Sequence, residues 1–217
     1  MRIHALLFFF FAESAFALYG GRAAPSERHL VKLQVSNETF CQGVVISSDK
    51  VLTTAHCIEG KGQEIRSSSL ILTYYPETVT IVSGRQKISA KAITLAPTYF
   101  DSPDFHAEDL ALIELSSPLK NADILPWANK AHLIPGADLV LSASGEIASS
   151  KVLRRVNGLG GLVILSDGRN AGVCQGDSGG ALILVKEGKK YLAGVLSAQA
   201  NGCAKRHSVS YFPKNNL

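Results

Sequence analysis

The chain has 217 residues, 46% of them hydrophobic and 18% charged, with a formal net charge of +4. That apolar share can bury a core and excludes a disordered chain, and the length fits one or two compact units. Basic residues are scattered, so no nucleic-acid partner is expected; the densest cluster, Lys205-Arg206-His207, reads as a solvated loop.

Arg2 precedes a short apolar run from Ala5 to Phe11, too short to cross a bilayer. Ala15-Phe16-Ala17 then offers the small-x-small pattern of a secretory cleavage site. Residues 1–17 are therefore read as a signal peptide, with a buried strand or an uncleaved anchor as the alternative. No second long apolar run follows, so the processed chain is expected to be secreted or periplasmic and free of the membrane. Four cysteines suit an oxidising compartment.

Beyond the leader, short strands alternate with turns. Leu30 to Val35 alternates apolar and polar residues, Thr78 to Val82 is β-branched, and Ile88 to Leu95 alternates again. Pro118 to Lys130 holds two prolines and reads as a linker. Leu182 to Val185 and Tyr191 to Leu196 are apolar runs after it. This spacing predicts an all-β barrel or sandwich. Neither a long helical pattern nor an internal repeat competes with that reading.

The chemistry concentrates in Cys174-Gln175-Gly176-Asp177-Ser178-Gly179-Gly180. Small residues leave the Ser178 hydroxyl accessible and let a substrate backbone come close. The N–H groups of Gly176 and Ser178 are placed to converge on one point, as an oxyanion hole requires. This heptapeptide resembles the nucleophile loop of the chymotrypsin/trypsin family of serine proteases. Upstream, Leu52-Thr53-Thr54-Ala55-His56-Cys57 resembles the family's histidine motif, with Thr where Ala is more usual. Asp109-Leu110-Ala111-Leu112-Ile113-Glu114-Leu115 resembles the strand headed by the family's catalytic aspartate. The resemblance runs from Leu18 to about Tyr211 and is loosest between Lys151 and Val173.

The resemblance implies two packed six-stranded antiparallel β-barrels, 18–120 and 121–217, with the active site in the cleft between them and the first segment inserted into the second barrel. It implies a catalytic triad of His56, Asp109 and Ser178. A serine hydroxyl needs a base to take its proton during attack. A neutral histidine can do this and then protonate the leaving amine, while an aspartate orients the ring and stabilises its cation. Ser197 matches the family serine that supports the aspartate. His29, His106, His132 and His207 lack a matching motif.

On spacing alone the four cysteines allow more than one pairing, and none forms the Cys-x-x-Cys of a zinc site. The resemblance implies Cys41 with Cys57 and Cys174 with Cys203. No metal or cofactor is expected. In the family the aspartate before the nucleophile pairs with the free amine of the processed N-terminus. Here that residue is Asp177, and the best match to the terminus is Leu18-Tyr19-Gly20-Gly21, directly after Ala17. Signal-peptide removal would then itself expose the activating amine of Leu18.

Gly172 stands six residues before Ser178, where trypsin-like members carry an aspartate for basic side chains, so cleavage after Lys or Arg is not expected. Gln199 takes the place of a pocket-wall glycine. Bulk there implies a shallow pocket and small apolar residues before the scissile bond; acidic residues facing Lys205, Arg206 or His207 are the second choice. The expected partners are protein or peptide substrates and protein protease inhibitors, and a monomer is expected. The rival reading is a catalytically silent homologue that acts as a binding protein. An α/β-hydrolase would need its histidine after the serine, contrary to the order here.

Overall fold

Among the described residues of the computed structural model, thirteen strands account for most of the chain, all but the first in two six-stranded circuits. The described residues are 18–24, 27–35, 38–58, 78–96, 99, 109–157, 161–167, 172–197 and 207–213. The leader at residues 1–17, Gln199, Cys203, Lys205 and Arg206 lie outside them.

The first circuit is a closed barrel in the order β2-β3-β4-β7-β6-β5. Its strands are β2 (Leu30–Val35), β3 (Glu38–Ser47), β4 (Lys50–Thr53), β5 (Val79–Ser83), β6 (Gln86–Leu95) and β7 (Ala111–Leu115). The alternation read from Leu30 to Val35 becomes β2, whose Val31, Leu33 and Val35 are buried while Lys32 is exposed. Period-2 patterning places every second side chain on the inner face. Those residues join Val45, Val51, Ile81, Ile93 and Ile113 in one core.

The second circuit comprises β8 (Asp138–Ala143), β9 (Glu146–Asn157), β10 (Gly161–Asp167), β11 (Ala181–Lys186), β12 (Lys189–Ser197) and β13 (His207–Pro213). These pair in the order β9-β10-β13-β12-β11-β8, and β9 also pairs with β8, so the sheet returns on itself. The short β1 (Arg22–Ala23) adds to β9. Every strand pairing in both circuits is antiparallel. The fold is thus the all-β, two-barrel arrangement expected from the motifs. Leu139, Leu141, Leu182, Leu184 and Leu196 fill the second core, and Leu18 packs among them.

A third apolar cluster joins the two. Val44, Leu52, Leu110 and Leu112 of the first barrel meet Ala181, Ile183, Leu192 and Val195 of the second. These strands are apolar on both faces because each face meets a core, which explains the near-continuous apolar runs in β7 and β12. The proline-bearing segment between the barrels runs along β12: Leu192 donates its N–H to the Pro126 carbonyl at 2.8 Å, and Ala128 donates to Leu192 at 2.8 Å. Glu27 adds a polar tie, with Lys190 Nζ at 2.9 Å and His29 Nε2 at 3.0 Å. The meeting of the barrels is therefore a packed surface, and groups from both can be held in fixed register across it.

Candidate active site

Each barrel delivers its part of the site through a short irregular segment anchored on a strand end. β4 stops at Thr53, and a 3-10 turn at Ala55–Cys57 turns the His56 side chain outward while Ala55 and Cys57 stay buried. The Cys41–Cys57 disulfide fastens this turn to β3. Asp109 stands two residues before β7, is buried, and is followed by the wholly buried Leu110.

The loop from Cys174 to Gly180 folds back on itself. Asp177 donates its N–H to the Cys174 carbonyl at 3.1 Å, and Gly180 donates to the Asp177 carbonyl at 2.9 Å. Its far end joins β12 through Gly179 N–H to the Leu196 carbonyl at 2.9 Å, and the first barrel grips it through Gln42 N–H to the Ser178 carbonyl at 2.8 Å. Gly179 has φ +84°, and a Cβ there would overlap the Gln42 carbonyl. Only glycine allows both the left-handed backbone and that approach. Cys174 is disulfide-bonded; the Cys203 expected opposite it lies outside the described residues.

Across the junction of the barrels these segments form one hydrogen-bonded chain. His56 Nε2 lies 3.0 Å from Ser178 Oγ, and His56 Nδ1 lies 2.7 Å from Asp109 Oδ2. The His56 backbone N–H also donates to Asp109 Oδ1 at 3.0 Å. Ser197 Oγ donates to Asp109 Oδ2 at 2.8 Å. Burial alone would push the Asp109 carboxyl up. The hydrogen bond and charge of the His56 ring, the His56 N–H and the Ser197 hydroxyl outweigh it and hold the carboxyl below its ordinary value. Asp109 is therefore ionised at neutral pH, and a buried anion beside Nδ1 favours the tautomer that leaves Nε2 free to accept a proton.

Gly176, at φ +96°, shares the loop with Ser178, and its N–H donates to no acceptor among the described residues. A groove lined by Leu30, Lys32, Gln42, Ser144 and Gly176 opens beside it. Cys41, His56 and Cys57 are grouped closely, but both sulfurs are joined in the disulfide and offer no thiolate to a metal.

Leu18 is buried, and Tyr19 exchanges backbone hydrogen bonds with Gly172 at 3.0 and 3.1 Å. In the uncut chain the Leu18 nitrogen is an amide, and its N–H donates to Glu146 Oε2 at 3.2 Å. Asp177 is fully buried; its Oδ2 accepts the Cys174 N–H at 2.7 Å, while Oδ1 has no hydrogen-bond partner among the described residues. Burial pushes the Asp177 carboxyl up to about 7, against the pull of the Cys174 N–H and the nearby Ser144 hydroxyl, and the negative charge of Glu146 adds to the rise. Two residues of this region escaped the motif reading. Glu146 sits 128 positions from Leu18, and Gln42, just past Cys41, lies in none of the three motifs.

Two barrels with a serine, histidine and aspartate linked across their junction define the class of the serine hydrolases built on this fold. Over residues 18–215 the chain matches the Trypsin family, and it belongs to the trypsin family of serine proteases. It is 30% identical over 223 residues to Serine protease 56 of Homo sapiens, across 87% of this chain and 35% of that protein. Serine protease 56 of Mus musculus is 29% identical over the same shares. Serine protease SP24D of Anopheles gambiae is 26% identical over 216 residues, across 89% of this chain and 76% of that protein. The chain thus spans only 35% of the length of Serine protease 56.

Proposed function

We propose that this chain is an exported serine endopeptidase that cleaves peptide bonds through His56, Asp109 and Ser178. The observation that carries the reading is the unbroken chain from Ser178 Oγ through the His56 ring to Asp109, at 3.0 and 2.7 Å. His56 Nε2 takes the proton as Ser178 Oγ adds to the peptide carbonyl. The N–H groups of Gly176 and Ser178 donate to the carbonyl oxygen and stabilise the negative charge that develops on it. His56 then protonates the leaving amine, and an acyl group remains on Ser178. A water molecule, deprotonated by His56, releases the acid and restores the serine.

Activation belongs to the same proposal. A chain cut after Ala17 carries an ammonium at Leu18, in a region holding two carboxylates, those of Glu146 and Asp177. The burial of the Asp177 carboxyl supports this reading, because a buried carboxylate is costly until a cation pairs with it. The buried backbone at Gly172 brings no acidic group for a basic substrate side chain, so residues other than Lys or Arg are favoured before the scissile bond.

The test is labelling by a fluorophosphonate probe, together with hydrolysis of a denatured protein. Both are expected from the chain starting at Leu18 and absent in Ser178→Ala. A folded chain that takes no probe and cuts nothing would instead be a binding protein on the same scaffold.

A further inference from the structure

Gln42 is a buried polar side chain that the triad leaves unused. It lies in β3, on the first barrel, and is 4% exposed. Its Nε2 donates to the Gly176 carbonyl at 3.0 Å and to Ser144 Oγ at 2.7 Å. Its Oε1 accepts the Ser144 N–H at 2.6 Å. Both amide protons and one face of the oxygen are thus engaged, and the orientation of the amide is fixed by its partners. The Ser144 N–H can only donate and the Gly176 carbonyl can only accept, so a flipped amide would oppose both.

The backbone of Gln42 is held as firmly. Its N–H donates to the Ser178 carbonyl at 2.8 Å, and Thr53 Oγ1 donates to its carbonyl at 2.6 Å. One residue of the first barrel therefore touches Gly176 and Ser178 of the second, the two positions whose N–H groups form the oxyanion hole in the reading above. It also fixes the β8–β9 turn, where Ser144 adopts φ +52° and Gly145 φ +79°. Gly176 has no side chain, and the space where a Cβ would stand is open to 4 Å. Glycine rotates easily, so the direction of the Gly176 peptide groups must be set from outside. Gln42 grips its carbonyl, and the same peptide group is held from its other side by Asp177 N–H to the Cys174 carbonyl at 3.1 Å.

We propose that Gln42 is a positioning residue for the oxyanion hole: its side-chain amide clamps the Gly176 carbonyl and the Ser144 turn, and so holds the Gly176 N–H toward the reacting carbonyl. The role rests on the hydrolytic reading of the site. It supplies a restraint on the oxyanion loop that comes from the first barrel and is separate from the one at Leu18 and Asp177.

The experiment compares the chain starting at Leu18 with Gln42→Ala, Gln42→Glu and Ser144→Ala. Peptide hydrolysis is measured as separate kcat and KM values, and hydrogen exchange is followed across residues 174–178. A misdirected oxyanion donor costs less than a deleted one, so Gln42→Ala should lower kcat roughly 10- to 100-fold while KM moves less than about 3-fold. Exchange across 174–178 should quicken at an unchanged melting temperature. Ser144→Ala keeps the backbone N–H that Gln42 Oε1 accepts and the grip on Gly176, so its kcat should fall less than that of Gln42→Ala.

Gln42→Glu keeps the size of the side chain but sets an acceptor against the Gly176 carbonyl. Its kcat should fall like that of Gln42→Ala at neutral pH, and its ratio to wild type should recover as pH drops and the new carboxyl regains a proton to donate. A purely structural role would give no such recovery. An active wild type with equal kcat in Gln42→Ala overturns the clamp and leaves the hydrolytic reading intact. A wild type that neither cuts peptides nor takes the fluorophosphonate overturns the hydrolytic reading. The clamp is then judged on exchange alone, where quickening supports it and no change overturns it.

Discussion

Asp177 makes the state of Leu18 measurable as a pH profile. When Ala17 is retained, the Leu18 nitrogen is an ordinary amide that gives its one proton to Glu146 at 3.2 Å. The Asp177 carboxyl is then raised from 3.8 to about 7, by burial first and by Glu146 as well. A carboxyl raised on folding contributes stability that is fully present below its unfolded pKa and is lost as pH climbs through the folded one. The loss should therefore fall between about pH 4 and pH 7. Roughly three pKa units at 1.36 kcal/mol each correspond to a loss on the order of 4 kcal/mol. That is a large share of the roughly 5–15 kcal/mol that holds a typical domain together.

Urea unfolding at pH 3.5 and pH 8 measures it, on material blocked by Ala17 and on material beginning at Leu18. Asp177→Asn in the blocked form should remove about 4 kcal/mol of the pH-dependent loss. The form with a free ammonium should lack that loss, because a neighbouring cation draws the carboxyl back down. It should instead weaken at alkaline pH, where the amine gives up its proton. Parallel profiles for blocked wild type and blocked Asp177→Asn would refute the reasoning, since Asp177 would then not be the group that titrates.

Three further outcomes are expected. Ser178→Ala and His56→Ala should each lower kcat by about six orders of magnitude, read by single-turnover hydrolysis, because members of such a constellation act as a unit. Gly179→Ala should unfold the loop or the chain at a cost of several kcal/mol in urea titration, since it combines a left-handed φ of +84° with overlap onto the Gln42 carbonyl. Peptides released from a denatured protein should end mostly in small apolar residues; a digest dominated by Lys and Arg ends would contradict the reading of Gly172.

The fold was legible because its signals are local. Leu30 to Val35 alternates with a period of two, and β2 occupies those residues with Val31, Leu33 and Val35 inward. The apolar run headed by Asp109 becomes β7, buried except at Glu114, since it lies between the first core and the contact with the second barrel. His56, Asp109 and Ser178 each sit in a short motif, and the structure holds Asp109 and Ser178 within hydrogen-bond reach of the two nitrogens of the His56 ring. Gln42 and Glu146 carry no such local mark. Gln42 reaches Gly176 across 134 positions and Ser144 across 102, and nothing in Cys41-Gln42-Gly43 tells a reader that the amide is turned toward another barrel.

That difference bears on how the oxyanion loop is held. Motifs record the groups that react, and they record Asp177 because it stands beside the nucleophile. The supports they omit are set by the distance between barrels, which is fixed by Val44, Leu52, Ile183 and Val195 packed at the junction. Gln42 can span to Gly176 only because that apolar cluster keeps β3 and the nucleophile loop in register. A cavity-forming change there, such as Ile183→Ala, is therefore expected to act on two levels. It should lower stability by about 2–5 kcal/mol through lost packing. It should also lower kcat in the molecules that remain folded, because the clamp on Gly176 loosens while the short turn carrying His56, tied by Cys41–Cys57, stays in place. Active-site titration separates the two effects: the fraction of competent sites reports the first, and the rate per titrated site reports the second. An unchanged rate per site would mean that the loop keeps its shape without help from the first barrel.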